Sequence, residues 1–403
     1  MNSYVARQPI YDRTQEVVAY ELLFHSGPEA FCGSLDLDRA STSVISDSLH
    51  VFANNELTGG KPAWIDVSRN TLVRGFALLL PPGTTVIQIR DLTDIDSEVV
   101  EACRGLRQAG YTISIDLPQS HEQFESLLPL VDVVRVLSTA SISAEHQALR
   151  RRLAPRGMRF IADNVGTRQE FLDARNAGCD LFLGRFAMQG EVVASRAIPA
   201  GKLTTLTLIQ QLSRPDLNRT EVEDTIQRDP GLTLKLLRYL NSAFFALPTR
   251  VESIKHAVSL LGDGPLRTWA SLIAMGSLAD APGAELVVTG LVRARFCEVI
   301  GKTLDCGLAP SELFLLGMVS TFDALLEVPI QKVLRTVKVS RAIDDALLGA
   351  EGDMTRIFQL TLAIESGNWS RVSTLTRDLG VGDGIVAGIY REAILWADRV
   401  NQF

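Results

Sequence analysis

Cysteine is scarce in this chain: five in 403 residues (Cys32, Cys103, Cys179, Cys297, Cys306), none in a Cys-x-x-Cys pair, so neither a disulfide framework nor a zinc ribbon is expected. Positive charge is also short. Forty Lys and Arg against 47 Asp and Glu leave a net charge of −7, which argues against a nucleic-acid binder working by broad phosphate neutralisation. The one basic run, Arg150-Arg151-Arg152, reads as the end of a helix opened by Ser143, where cations complement the C-terminal dipole. Long apolar runs are missing as well. The longest, Trp269 to Ala279, falls well short of the ~20 residues of a spanning helix, and the N-terminus has no apolar signal core, so a cytoplasmic protein without membrane contact is expected. No Gly-x-Gly-x-x-Gly follows a strand-like run. None of the five histidines is followed by Asp (His25-Ser26, His50-Val51, His121-Glu122, His146-Gln147, His256-Ala257), which excludes a His-Asp metal dyad.

What is present is a globular composition, 46% hydrophobic and 22% charged, on a chain long enough for two domains. Through the first half, β-rich runs alternate with helix-length segments: Ala63–Val67, Thr85–Ile89, Thr112–Asp116, Val133–Leu137, Arg159–Asp163 and Leu181–Gly184. Between them Val100, Cys103 and Leu106 recur at helical spacing within Ser97 to Ala109, before Gly110. Apolar strands with crossover helices imply a parallel sheet covered on both faces, and this many units close into a TIM-type (β/α) barrel; an open doubly wound sheet is the runner-up. An earlier strand-like run, Val17 to His25, places the acid Glu21 on one face with Leu23 and His25.

In a parallel barrel, functional side chains stand at the C-terminal ends of strands, and here those ends carry Asp66, Gln88 to Asp91, Asp116 and Asp163. Such acids could bind a cation; ordinary helix N-caps and loop acids are the plainer alternative. A linker-like stretch from Gln189 to Lys202 follows, and beyond it helical patterns run almost without strands. The expected domains are 1–198, α/β, and 199–403, all-α. The helical part opens its clearest helix with Asp229-Pro230, an acidic N-cap ahead of proline at the first helical position, and carries Leu232, Leu236, Leu237 and Leu240 as an apolar stripe ending near Asn241-Ser242. His256 reads as a boundary or core histidine, and Leu313 to Asp323 as a buried helix.

Gln8-Pro9-Ile10 followed by Tyr20-Glu21-Leu22-Leu23 resembles the opening of EAL domains, bacterial phosphodiesterases of cyclic di-GMP, in the variant found in EAL-HDOD signalling proteins. Asp229-Pro230-Gly231-Leu232, Asn241-Ser242 and Ser253 to Gly262 resemble the HDOD domain, a helical fold similar to HD-type metal phosphohydrolases without their His-Asp ligands. The resemblance implies an EAL-like barrel followed by an HDOD-like helical domain. It marks Glu21 as the first metal-ligand position and His25 as standing where a phosphate-binding Arg is usual, for which a neutral imidazole is a poor substitute. Asp66 stands at an Asn ligand position, Gln88 at a Glu, and Asp116 keeps the first of two adjacent acids while Leu117 replaces the second. Arg135 stands at the catalytic Lys, Asp163 at a Glu, and Leu183 at a Gln.

The reaction needs two divalent cations ~4 Å apart, and Leu117 can ligate neither. Glu21, Asp66 and Asp116 could at most hold one hard cation. The expectation is a degenerate EAL domain in a non-catalytic scaffold linked to cyclic di-GMP signalling. No cofactor is expected, and its partners would be signalling proteins contacted through the HDOD-like domain. Alternatives are a cyclic di-GMP receptor without hydrolysis, binding weakly, and a residual phosphodiesterase.

Overall fold

A computed structural model describes residues 4–25, 56–90, 95–117, 125–137, 152–153, 157–188, 200–214, 216–228, 236, 254–278, 284–337 and 339–401. Its contacts divide the chain into two compact units, the first formed by Met1–Gln189, Leu362–Arg377 and Val381–Arg391, the second by Gly190–Thr361, Asp378–Gly380 and Glu392–Phe403.

In the first unit eight strands close into a barrel in sequence order: β1 (Tyr4–Asp12), β2 (Val17–His25), β3 (Ala63–Val67), β4 (Thr85–Ile89), β5 (Thr112–Asp116), β6 (Val133–Leu137), β7 (Arg159–Asp163) and β8 (Leu181–Leu183). The pairs from β2–β3 to β7–β8 are parallel, whereas β1 runs antiparallel to both β2 and β8. Strands β2 to β8 lie on the predicted runs. β1 is an addition, disguised by Pro9, which argues against a paired strand in a sequence window.

Period-two alternation divides each strand between two cores. Ile10, Ala19, Trp64, Val86, Val133, Ile161, Leu181 and Leu183 fill one cluster, on the strand face that also carries the site. Ile65, Val67, Ile87, Ile89, Ile113, Ile115, Val134, Val136, Phe160 and Phe182 face a second cluster, shared with the covering helices. Those helices are α1 (Arg69–Val73), α2 (Ser97–Gln108) and α3 (Arg168–Ala177). Asp96 caps α2 by accepting from the Val99 N–H, and α3 opens on a reciprocal capping box between Thr167 and Glu170. Helix α3 ends at Gly178, whose φ of 94° other residues rarely adopt.

Among the described residues the second half of the chain is helical. Its elements are α4 (Ala200–Ser213), α5 (Arg219–Gln227), α6 (Ile254–Leu261), α7 (Asp263–Leu278), α8 (Ala284–Leu304), α9 (Pro310–Val319), α10 (Phe322–Leu326), α11 (Ile330–Val337), α12 (Arg341–Leu347), α13 (Asp353–Glu365), α14 (Trp369–Leu379) and α15 (Asp383–Asn401). Gly262 follows α6 with φ +69°. Asp229, Pro230, Asn241 and Ser242 lie outside the described residues, as does nearly all of the Ser143–Arg152 segment. Two expectations are corrected. The Leu313–Asp323 stretch is buried but is not one helix, because α9 stops at Val319 and α10 starts at Phe322. His256 is exposed on α6 and so is no core histidine.

Candidate functional site

Register and alternation gather the polar side chains at the C-terminal ends of the parallel strands. Asp66 lies two residues beyond Trp64, Gln88 beyond Val86, Arg135 beyond Val133, Asp163 beyond Ile161 and Glu21 beyond Ala19, so each shares its strand face with an inner-core residue. Neighbouring strands then bring Asp66 beside Gln88, Gln88 beside Ser114, and Asp116 beside Arg135.

Arg135 is the hub. Its side chain is 2% exposed and lies between two acids, Nη1 donating to Glu21 Oε1 at 2.5 Å, with Nε and Nη2 donating to Asp163 Oδ2 at 2.9 and 2.7 Å. Arg90, just past β4, supplies a second cation: Nη2 donates to the same Glu21 Oε1 at 2.8 Å, and Nε stands 3.0 Å from Asp66 Oδ2. Gln88 donates through Nε2 to Asp116 Oδ1 at 3.0 Å. Burial opposes the charge on Arg135, but the carboxylates of Glu21 and Asp163 outweigh it and hold the guanidinium above its usual range. Asp66 goes the other way. Burial first, and then the negative charge of Glu21, push its carboxyl up to about 7 against the pull of Arg90 and Arg135.

The structure thus brings Glu21, Asp66, Gln88, Asp116, Arg135 and Asp163 together. Leu117 is not among them: its side chain packs on the outer core while its backbone N–H donates to Arg135 O at 2.8 Å. Leu183 joins the apolar inner layer. His25 closes β2, and its side chain lies outside the described residues. Ser114 is a member that sequence reasoning missed; only its position two residues before Asp116 in the same strand signals it. Its Oγ, with Asp66 Oδ1 and Gln88 Oε1, is buried without a hydrogen-bond partner among the described residues.

These donors do not fit a pair of divalent cations. Glu21, Asp66 and Asp163 are each paired with a guanidinium group, a fixed positive charge that a divalent cation would have to displace. Among the described residues no group of three or more His, Cys, Asp or Glu is placed to hold a metal ion. Nor is any described helix long and apolar enough to cross a membrane.

Residues 198–336 match the HDOD domain family. Over its whole length the chain is similar to two proteins. The YuxH protein of Bacillus subtilis is 28% identical over 408 residues, 99% of each chain. CdgJ of Vibrio cholerae, a protein named as a cyclic di-GMP phosphodiesterase, is 28% identical over 403 residues, 99% of this chain and 93% of the relative. An EAL domain protein from Listeria monocytogenes superposes on 46% of this chain and 87% of its own at 16% identity, with a TM-score of 0.38, too low to carry an argument. The HDOD match, the closed barrel ahead of it and the end-to-end relatives together support an EAL-HDOD protein.

Proposed function

We propose that the barrel is a degenerate EAL-type domain without hydrolytic activity, and that the chain is a cyclic di-GMP-linked signalling scaffold acting through protein contacts of its HDOD domain. The observation that carries this reading is the double use of Glu21: one carboxylate oxygen receives both Arg90 and Arg135, at 2.8 and 2.5 Å. Two-metal phosphodiester hydrolysis needs carboxylates free to hold cations that turn water into hydroxide and neutralise the attacked phosphate. Here permanent organic cations take those carboxylates, and a guanidinium is too basic to accept a proton near neutrality. With Leu117 turned outward, the second acid of the usual pair has no counterpart in the site.

Incubation of the chain with cyclic di-GMP and Mg²⁺ or Mn²⁺ should give no linear dinucleotide above a protein-free blank. Turnover abolished by Glu21→Ala would overturn the reading. A second reading, hydrolysis, is favoured by the name of the Vibrio cholerae relative, and the same assay decides between them. Binding without turnover, followed by calorimetry, would identify the barrel as a receptor. The effector role of the helical domain, with independent folding across a boundary at 198/199, belongs to the same proposal. A fragment beginning at residue 199 should then remain folded and retain the signalling partner that the whole chain binds.

A further inference from the structure

The inner face of the barrel near its mouth does not end in open strand ends. Gln8 and Glu21 are directly paired across β1 and β2, as are Ala6 and Leu23 one step nearer the mouth. By alternation from Ile10 and Ala19, all four lie on the inner face. The polar end of Gln8 turns to no barrel residue in this contact: its Nε2 donates to the backbone carbonyl of Glu365, at 3.1 Å. Leu23 meets the same short stretch, since a Cβ added at Gly367 would fall 2.9 Å from Leu23 Cδ1. Ala6 is completely buried. Leu362–Arg377 belongs to the same compact unit as the barrel.

The local chemistry of Glu365–Trp369 explains why this turn sits there. It ends α13 in a Schellman-type turn: Asn368 N–H donates to Ala363 O and Gly367 N–H to Ile364 O, both at 2.9 Å, with Gly367 at φ +66°. Asn368 then starts α14, its Oδ1 accepting from Arg371 N–H at 3.1 Å. The turn satisfies the carbonyls of Ala363 and Ile364, and helix-end carbonyls take donors from outside the helix as well. Gln8 is such a donor, to Glu365. The contact therefore joins the helix end to a specific side chain at the barrel mouth, and glycine is required at 367 both for its φ and for the approach of Leu23.

From this geometry we infer that the Glu365–Trp369 turn is a built-in cap over the β1–β2 side of the barrel mouth, so that approach to Glu21 and Arg135 from that side requires the C-terminal segment to lift. The cap is a conformational device of this chain, distinct from the chemistry of the cluster beneath it, and it holds whether or not the barrel binds a dinucleotide.

The test uses the full-length chain carrying Ala6→Cys as a probe, labelled with a maleimide and read peptide by peptide, so that native cysteines are resolved. Buried Cys103, whose thiol burial pushes up to about 12, reports in the same experiment that the barrel stays folded. The thiol introduced by Ala6→Cys should label slowly. Gln8→Ala, which removes the donor, and Gly367→Glu, which breaks the turn, should each accelerate it roughly tenfold or more while Cys103 stays protected, as local opening predicts. Rapid labelling of the introduced thiol without either change, or equal rates with and without Gln8→Ala, overturns the cap. Should Gly367→Glu expose Cys103 as well, the milder Gln8→Ala variant decides alone. Dinucleotide binding is not part of the readout, so failure of the functional reading and failure of the cap are told apart.

Discussion

Arg135 and Glu21 form an ion pair 2.5 Å long in which each side chain is only 2% exposed. A pair this deep is a commitment of the fold, because neither charge regains solvent if the other is lost. Replacing Arg135 by Met should therefore destabilise the barrel by about 3–5 kcal/mol, whereas Glu21→Gln combined with Arg135→Met should cost much less than the sum of the two single changes. Urea unfolding of the three variants, followed by a barrel-specific probe such as Cys103 accessibility, checks this. Additive losses would show that the two residues do not act as a pair.

Arg90 differs from Arg135 in being reachable, with its side chain 35% exposed. If it stands where a cation would otherwise neutralise Glu21 and Asp66, millimolar Mg²⁺ should leave the melting temperature of the unmodified chain unchanged. Arg90→Ala should lower the melting temperature and make it rise again with Mg²⁺, as expected for a ligand that binds only the folded state. An Arg90→Ala chain indifferent to Mg²⁺ would show that the remaining oxygens form no cation site.

Asp66 carries a pH dependence of calculable sign. Its carboxyl is pushed from the usual 3.8 up to about 7 in the folded chain, by burial first and by Glu21 second. The folded state thus holds the proton more tightly than the unfolded one, and stability from this group is fully present below 3.8 and lost as pH rises through about 7. Asp66→Asn should remove that loss. Stability measured for both chains between about pH 4 and pH 8 should converge toward the acid end and diverge, in favour of the Asn variant, toward neutrality; parallel curves would exclude a perturbed Asp66.

The helical region offers a contrast between two glycines. A Cβ at Gly317 would fall 2.2 Å from the Ala294 backbone nitrogen, so α8 and α9 meet backbone to backbone. Gly317→Ala should cost about 1–3 kcal/mol, more than alanine's helix propensity returns. Gly388, exposed within α15, meets nothing within 4 Å, so Gly388→Ala should stabilise by up to about 1 kcal/mol. Thermal melts of the two variants should shift in opposite directions.

The barrel was legible because its parallel strands are short, buried and separated by helix-length segments, a pattern that needs no partner to recognise. β1 was not, since Pro9 argues against a strand and its antiparallel pairing depends on strands elsewhere in the chain. For the site, the residue types and strand ends were readable, including the cation at Arg135. Their partners were not: the contacts of Glu21 reach 69 and 114 residues along the chain, and only the barrel register brings them together. Leu117 illustrates the opposite case. Its inability to ligate was evident from its chemistry, but its outward direction follows from alternation after Asp116 and from the outer core waiting to receive it. The Gln8–Glu365 contact had no sequence signal at all, being a bond to a backbone carbonyl 357 residues away.

The direction of β1 also bears on how the chain is made. Ile10, Tyr11 and Asp12 complete their pairing with Leu183, Phe182 and Leu181, so β1 is synthesised well before the strand that lets the ring close. During that interval the β1–β2 ribbon presents an unpaired edge, and edges of this kind invite pairing with other nascent chains. Long-range closure of this sort is slow compared with the local contacts of helices. While residues 13 to 180 are being made the barrel therefore keeps an open edge, and the emergence of β8 closes it.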